Sequence, residues 1–301
     1  MVCYSPLQAY RGRDVNPATG KRQIVFNRSE GFADLPVELA CGQCVGCRLE
    51  RSRQWAVRCV HEASLHEENC FITLTYREMP SNGSLNLRHW QLFMKKLRKR
   101  FGSGIRFFHC GEYGSKNFRP HYHALLFNFD FPDKKLWQIT KQKDRLYRSP
   151  ALEQLWPYGY SSVGDVTFQS AAYVARYVMK KRNGDDAEKH YTFVDADGVI
   201  HDRKPEYVTM SRRPHGIGAK WLEQFKGDVY PSDFLIINGK KVRPPRYYDT
   251  RLELEDPIAF AAVKRKRLIS GKDHASNNTP ERRKVRERIQ NTKLDMLKRS
   301  L

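Results

Sequence analysis

Residues 111–127, GEYGSKNFRPHYHALLF, decide the fold that we expect for this chain. A polar, glycine-containing segment, 114–120, separates two runs, 105–113 and 121–129, that are rich in aromatic and aliphatic side chains. Two such runs joined by a short loop of turn-forming residues predict a β-hairpin. The hairpin is the reference point from which the rest of the chain is interpreted.

The hairpin brings metal-ligating side chains together. His121 and His123 are two residues apart, so both imidazoles point to the same face of their strand. If the loop closes symmetrically, Glu112 lies opposite His121 and Cys110 lies opposite His123, on that same face. Two imidazoles and a carboxylate with open positions form a site for a divalent cation that also accepts water and phosphate. An isolated His-x-His pair is more often surface or core decoration, so Glu112 is what favours the metal site.

Strand and helix signals alternate around the hairpin. The β-branched and aromatic run 71–76 predicts a strand, and apolar residues recur at helical spacing over Leu87–Phe101. A strand over 160–167 and a helix over 169–182 follow. This order predicts an α+β fold with a central antiparallel sheet and helices on one face.

The helix predicted over 169–182 carries a second candidate constellation. At about 100° per residue, Tyr173, Tyr177 and Lys180 fall within about 60° of one another, and Lys181 follows. A nearby cation favours phenolate over phenol, so such a tyrosine can act as a nucleophile. Two amphipathic tyrosines at a helix rim would need no such role. A separate stripe can make the core contact: Ala171, Val174, Ala175 and Val178.

The charge of the chain predicts a polyanionic partner. Its 301 residues contain 54 Lys and Arg against 33 Asp and Glu, a net charge of +21. A charge this large costs self-repulsion and is typical of proteins that bind nucleic acid. Thirteen of the basic residues and only four acidic ones lie in 264–301. Candidate DNA-binding residues there are Lys264, Arg265, Lys266, Arg267, Arg282, Arg283 and Arg286.

Three further features lie in the last third of the chain. The loop 211–218 contains Arg212, Arg213 and two glycines before a helix predicted from Ala219, where free N–H groups would suit a phosphate. An ordinary basic loop is the alternative. Turns at 195–198 and 238–239 predict hairpins, and a final helix is expected from Pro280.

The cysteines predict a metal site rather than disulfides. Seven is an odd number, and the amino terminus has no secretory pattern, so we expect a reducing compartment. Cys41, Cys44 and Cys47 supply three thiolates within a short loop, and tetrahedral zinc needs a fourth ligand, for which Cys3 is the first candidate and Cys59 the second. An iron–sulfur cluster could use the same ligands, and three reduced cysteines in a turn remain possible.

Two sequence signals are missing. No run approaches the roughly 20 apolar residues of a membrane span, so no membrane association is expected. No G-x-x-x-x-G-K-[ST] sequence occurs, so a P-loop ATPase domain is not expected either.

The order of three segments resembles the motifs of the HUH endonucleases, which include rolling-circle replication initiators, relaxases and transposases. These segments are FITLTY (71–76), GEYG followed by RPHYHALLF (111–127) and YVARYVMKK (173–181). With the cysteine-rich CGQCVGCRLERSRQWAVR (41–58), the chain most resembles the replication initiators of gokushoviruses, single-stranded DNA phages of the Microviridae. Tyr122 stands where the family usually has a bulky hydrophobic residue, which is a mild departure.

The resemblance implies a mechanism and its residues. Glu112, His121 and His123 would hold Mg²⁺ or Mn²⁺, and Tyr173 or Tyr177 would attack the scissile phosphate. The products would be a 5′-phosphotyrosine and a 3′-OH that primes rolling-circle synthesis, and the same site would later rejoin the strand. Three basic residues would assist on the same helix, Lys180 and Lys181 in catalysis and Arg176 in DNA binding. Related enzymes have lysine three residues after the tyrosine, which Tyr173 lacks.

The expected organisation has three segments: a cysteine-rich element with a possible zinc site (1–65), an HUH endonuclease domain (66–215) and a basic DNA-binding region (216–301). Expected partners are single-stranded and replicative-form DNA, a host helicase and DNA polymerase, in the bacterial cytoplasm. Rival interpretations are an HUH transposase or plasmid initiator, a non-catalytic zinc-containing nucleic-acid-binding regulator, and a metallonuclease that uses water as its nucleophile.

Overall fold

A computed structural model of the chain describes residues 3–18, 20–114, 117–140, 143–176, 186–195 and 197–296. Its strands are β1 (Leu7–Val15), β2 (Arg22–Val25), β3 (Gly31–Leu39), β4 (Asn69–Tyr76), β5 (Arg106–Tyr113), β6 (Pro120–Phe127), β7 (Lys135–Ile139), β8 (Arg145–Arg148), β9 (Gly159–Gly164), β10 (Thr192–Val194), β11 (Ile200–Asp202), β12 (Tyr207–Met210), β13 (Leu235–Ile237) and β14 (Lys240–Val242). Its helices are α1 (Val45–Ala63), α2 (Leu87–Phe101), α3 (Pro150–Leu155), α4 (Phe168–Arg176), α5 (Asp186–Tyr191), α6 (Ala219–Val229), α7 (Arg246–Glu255), α8 (Pro257–Lys272) and α9 (Pro280–Met296).

The chain forms two compact units. The first comprises residues 1–51 and 264–301, and the second comprises residues 52–263. The chain passes from one unit to the other within α1 and again within α8. This grouping divides the chain at other positions than the three segments expected from the sequence, which stay a prediction about function.

The predicted hairpin lies near the middle of the largest sheet, which belongs to the second unit. The strand order is β12-β5-β6-β4-β9-β8-β7, and the neighbouring strands are antiparallel. In the β5–β6 pair, Glu112 is opposite His121 and Cys110 is opposite His123. The predicted register is therefore confirmed, as is an α+β fold with a large antiparallel sheet.

One face of this sheet is covered by α2 and α3. Alternate residues of β4 and β6, among them Ile72, Leu74 and Leu126, are fully buried with Trp90 and Leu97 of α2. The apolar spacing that predicted α2 is the spacing that packs here. Its bounds agree with the prediction, and the side chain of Asn86 caps the first turn by accepting a hydrogen bond from the N–H of Arg88.

The opposite face is covered by α1 and α4, so the expectation of helices on one face only was wrong. Phe108 of β5 and Leu125 of β6 share a buried cluster with Ala56 of α1 and with Val174 and Ala175 of α4. Most residues of β5 and β6 are buried. Strands of this kind are near-continuous apolar runs and need a cover on each face.

Residues 219–263 form a third buried cluster of the second unit. It joins α6, α7 and α8 through Leu222, Tyr248, Leu252 and Phe260. The helix predicted from Ala219 is α6, and the two predicted turns join β10 to β11 and β13 to β14. None of the described helices combines the length and the apolar character that crossing a bilayer requires.

The first unit contains a three-stranded sheet of order β2-β1-β3 and the helix α9. The sequence predicted α9 from its start at Pro280, but it did not predict the strands. Most side chains of β1 and β3 are exposed or half-buried, so they lack the alternation of apolar and polar residues that marks a strand.

Candidate active site

The candidate active site lies where β5 and β6 pair, on the face that α1 and α4 cover. Glu112 and His123 are buried, and His121 is half-buried. The Nε2 atom of His123 lies 3.0 Å from Oε1 of Glu112. An imidazole nitrogen and a carboxylate oxygen at this separation, with a second imidazole one register step away, are a donor set that suits Mg²⁺ or Mn²⁺.

Thr73 of β4 orients the His123 ring. Its Oγ1 lies 3.0 Å from Nδ1 of His123, on the side of the ring away from Glu112. In the tautomer that satisfies both contacts, the Thr73 hydroxyl donates to Nδ1 and Nε2–H donates to Glu112. A partner on the far nitrogen is what metal-binding histidines commonly have, because it fixes the ring and the tautomer. Thr73 is the fourth residue of the site, and the sequence reasoning did not single it out.

Tyr173 of α4 reaches the same place. Its ring centroid lies 5.3 Å from that of His123 with an interplanar angle of 84°, and 6.3 Å from that of Phe71 with an angle of 83°. The remainder of α4 makes the core contact: Ala171, Val174 and Ala175 are fully buried, as the predicted apolar stripe required. Packing of these alanines therefore positions a half-buried phenol beside the histidine pair.

The four predicted thiols form one cluster in the first unit. The Sγ atoms of Cys3, Cys41, Cys44 and Cys47 all lie within 4.8 Å of one another. The Cys3–Cys41 distance is 3.6 Å, and the Cys3–Cys44 and Cys41–Cys47 distances are 4.0 Å. Zn–S bonds of about 2.3 Å place tetrahedral sulfurs roughly 3.8 Å apart, so the cluster could hold a structural metal such as zinc. Cys59, the alternative fourth ligand, is instead buried in the core of the second unit.

The backbone around the cluster favours thiolate at Cys44. Burial acts to raise the pKa of this thiol, but hydrogen bonds from the N–H groups of Tyr4 and Cys47 oppose it. The result is a pKa lowered to about 7. The Tyr4 N–H is 3.3 Å from the Cys44 sulfur. N–H groups directed at sulfur are the environment in which cysteine becomes a metal ligand.

Comparison with known proteins identifies the family. The model of the replication-associated protein ORF2 family matches residues 69–182, which contain both the hairpin and α4. The chain is 32% identical over 287 residues to the replication-associated protein VP4 of Bdellovibrio phage phiMH2K, covering 91% of this chain and 84% of the relative. It is 33% identical over 289 residues to the replication-associated protein ORF2 of Spiroplasma virus 4, covering 89% and 86%. The chain belongs to the phage replication-associated proteins.

A further member of this family is less similar. The replication-associated protein ORF4 of Chlamydia phage 1 is 29% identical over 247 residues, which are 77% of this chain and 59% of the relative. No solved structure matches the chain significantly. The sheet and its site therefore stand on the geometry above.

Several predicted residues of this replication-associated protein are not brought to the site by the described structure. Tyr177, Lys180 and Lys181 lie outside the described residues, as does Val178 of the predicted stripe. Arg176 is exposed at the end of α4.

The loop 211–218 is packed rather than open. The side chain of Arg106 donates to the carbonyls of Arg213 and His215. The Gly218 N–H donates to Oε2 of Glu62 at 2.7 Å, so this helix N-terminus already has a carboxylate partner. The expectation of flexible glycines was wrong, because a Cβ at Gly218 would lie 2.7 Å from the hydroxyl of Tyr248. Two side chains remain exposed as predicted DNA contacts, Arg212 and Arg213.

Two of the predicted basic contacts of the first unit have internal partners. Arg283 contacts both carboxylate oxygens of Glu38, at 2.8 and 3.4 Å. Arg286 donates to the carbonyl of Asn277 and lies over the ring of Tyr4. The exposed members of the set are Lys264, Arg265, Lys266 and Arg282, and Arg267 is half-buried.

Proposed function

We propose that this chain initiates phage DNA replication by nicking one strand at the origin through a tyrosine. The nick produces a 5′-phosphotyrosine link and a 3′-OH that primes rolling-circle synthesis, and the chain later rejoins the strand. The enzyme class is a site-specific, metal-dependent DNA endonuclease and strand transferase of the HUH type. The names of its relatives, replication-associated proteins, support a role in replication.

One observation carries the proposal. A half-buried phenol, Tyr173, packs against His123, whose Nε2 is 3.0 Å from Glu112. A nucleophile next to a carboxylate–imidazole set is the arrangement that phosphoryl transfer requires, because the reacting groups must be oriented before they react. A protein that only binds DNA would need neither the buried carboxylate nor the tyrosine.

The reaction follows from these side chains. A bound Mg²⁺ or Mn²⁺ would polarise the scissile phosphate and stabilise the charge on the leaving oxygen. Glu112, His121 and His123 would hold this cation, and Thr73 would keep the His123 ring in place. The tyrosine oxygen forms a bond to phosphorus as the bond from phosphorus to the 3′ oxygen breaks. The phenol loses its proton and the 3′ oxygen gains one, and the reverse reaction rejoins the strand.

Two tyrosines permit two cleavages. Tyr177 is one helical turn beyond Tyr173 in the sequence, so it is the partner that would act while the first 5′ end is still attached. Lys180 and Lys181 would favour its phenolate form. A 3′-OH needs a polymerase and an opened duplex, so a host DNA polymerase and helicase are the proposed partners, in the bacterial cytoplasm. The thiol cluster would hold zinc as a structural ion.

A labelled-strand assay tests the proposal. Single-stranded DNA covering the source genome is labelled, incubated with protein and Mn²⁺, with or without EDTA, and separated on denaturing gels. We expect a Mn²⁺-dependent adduct that migrates with protein. It is retained in one of the single variants Tyr173→Phe and Tyr177→Phe and lost in the double variant. His121→Ala should abolish adduct formation, and exposed His274 supplies the matched control, His274→Ala.

The other outcomes identify the rival functions. Cleavage with no protein on the DNA end would indicate a metallonuclease that uses water. Tight binding with neither cleavage nor adduct across the whole genome would indicate a non-catalytic zinc-containing regulator.

A further inference from the structure

A pocket beside the hairpin loop is lined by basic and aromatic side chains that the proposed chemistry does not use. Its volume is about 490 Å³, and its lining includes Phe118, Lys189, His190, Phe193 and Arg203. The volume is in the range of roughly 300–1,000 Å³ that small-ligand pockets have. The pocket belongs entirely to the second unit.

Arg203 is the unusual member of this lining. Its side chain is only 8% exposed, and its Nε is buried with no hydrogen-bond partner. Within the described ranges, no ion pair or hydrogen bond accounts for its guanidinium. Burying a cation without a hydrogen-bonded anion is costly, so a guanidinium in this position indicates a ligand that completes it.

Aromatic rings surround this guanidinium. Its central carbon lies 4.3 Å from the ring centroid of Phe193, 5.1 Å from that of Phe118 and 5.7 Å from that of Tyr113. Cation–π contacts offset part of the desolvation of Arg203, but they leave its N–H donors without acceptors. The pocket therefore presents unsatisfied donors next to ring faces, which are complementary to a phosphate joined to a nucleobase.

The pocket is close to the candidate active site along the chain. Phe118 lies in the loop that joins β5 to β6, three residues before His121. Three residues span at most about 10 Å, at roughly 3.3 Å per residue. A strand whose scissile phosphate is held by Glu112 and the histidines therefore places a neighbouring nucleotide within reach of the pocket.

We propose that this pocket binds one nucleotide of the single DNA strand next to the scissile phosphate. Arg203 and Lys189 contact its phosphate, and Phe118 and Phe193 stack on its base. The position of this nucleotide relative to the nick rests on the proposed nicking function, whereas strand binding in the pocket does not.

Binding without metal tests the pocket apart from the chemistry. The probe is a fluorescent oligothymidylate of about 12 nucleotides, measured by anisotropy in EDTA between about 50 and 200 mM salt. We expect Arg203→Gln to lower the affinity about tenfold and to reduce the slope of log affinity against log salt by about 0.7, because one phosphate contact is lost. The matched control is exposed Arg88 on α2, where Arg88→Gln removes the same charge and leaves the slope unchanged.

A second pair of measurements tests stacking. Phe193→Leu should weaken binding about fivefold, in line with the loss of one base–aromatic stack. An abasic oligomer of the same length should bind the native chain more weakly, and Phe193→Leu should then cause no further loss. Should Arg203→Gln not fold, Arg203→Lys and the exposed-rim variant Lys189→Gln replace it, each with a smaller fall in affinity.

Three results would overturn the pocket. One is unchanged affinity and slope in Arg203→Gln. Another is equal binding of the abasic and normal oligomers. The last is displacement of the probe by micromolar thymidine 5′-monophosphate, which would indicate a free-nucleotide site. A chain that binds through Arg203 but never nicks would contradict the proposed function alone, and nicking that is indifferent to Arg203 would contradict the pocket alone.

Discussion

Gly114 leaves the space that the His121 ring occupies. A Cβ at this position would lie 2.9 Å from Nε2 of His121, closer than side chains normally approach. We therefore expect Gly114→Ala to displace the imidazole and to slow nicking by about tenfold to a hundredfold. Nicking rates over a Mn²⁺ titration measure the effect.

The matched control for this variant is Gly227→Ala on α6, where a Cβ would meet no atom within 4 Å. It should nick at the native rate. A native rate and native Mn²⁺ dependence in Gly114→Ala would show that the His121 ring position does not matter to catalysis.

A buried histidine makes the second unit sensitive to acid. His61 of α1 stacks on Trp221 at 3.5 Å, and its Nδ1 is 2.9 Å from the Tyr248 hydroxyl. Burial lowers the pKa of His61 from 6.5 to about 3. Below pH 6.5 the unfolded chain binds a proton that the folded chain refuses, so stability falls as the pH drops from 6.5 towards 3. His61 contributes about 1 kcal/mol of loss between pH 6 and pH 5.

Tryptophan fluorescence during urea unfolding measures this loss, because all five tryptophans lie in residues 52–263. His61→Gln should flatten the dependence of the unfolding free energy on pH, whereas His274→Gln, at an exposed histidine, should not. An equally steep dependence in His61→Gln would assign the acid sensitivity to other groups.

At the scale of elements, β9 depends on a glycine for its approach to β4. A Cβ at Gly159 would lie 2.2 Å from the backbone nitrogen of Arg77 and 2.4 Å from the carbonyl oxygen of Thr75. Backbone atoms cannot move aside cheaply, so Gly159→Ala should destabilise the second unit by about 3 kcal/mol. Gly164→Ala, in the same strand, meets its nearest atom at 3.5 Å and should cost less than about 1 kcal/mol. Similar urea midpoints for the two variants would be inconsistent with this geometry.

The zinc prediction concerns the amino-terminal element. We expect purified protein to contain about one zinc per chain, since four thiolates close a tetrahedral site. Cys41→Ser should lose the metal, because Cys41 contacts both Cys3 and Cys47. Elemental analysis of the purified variants measures the zinc. Cys59→Ala, in the core of the second unit, is the control and should keep it; zinc retained in Cys41→Ser would exclude this site.

The catalytic hairpin was predictable because its information is local. The spacing of His121 and His123 fixes one face, and the loop length fixes the register that places Glu112 opposite His121. Two features were not predictable in this way. Thr73 comes from β4, whose pairing with β6 is a long-range contact. The second helical layer depends on small residues such as Ala56 and Ala175, whose burial carries little sequence signal.

At the scale of the whole molecule, the positive charge is distributed over both units rather than confined to the carboxyl terminus. The predicted contacts Arg283 and Arg286 interact with residues of the first unit, whereas Arg212 and Arg213 are exposed in the second. A net charge of +21 predicts strand binding that weakens steeply with salt. Site selection would then depend on groups beside the hairpin, such as Arg203 and Phe193.

The central claim is that a tyrosine of this chain becomes covalently attached to the DNA it cuts. The most direct measurement is mass spectrometry of the proteolysed product after incubation with single-stranded source DNA and Mn²⁺, followed by nuclease trimming. The account predicts a nucleotide on the peptide that contains Tyr173 and Tyr177, absent in EDTA and absent in the double phenylalanine variant. Cleaved DNA with free 5′ ends and an unmodified peptide would contradict it.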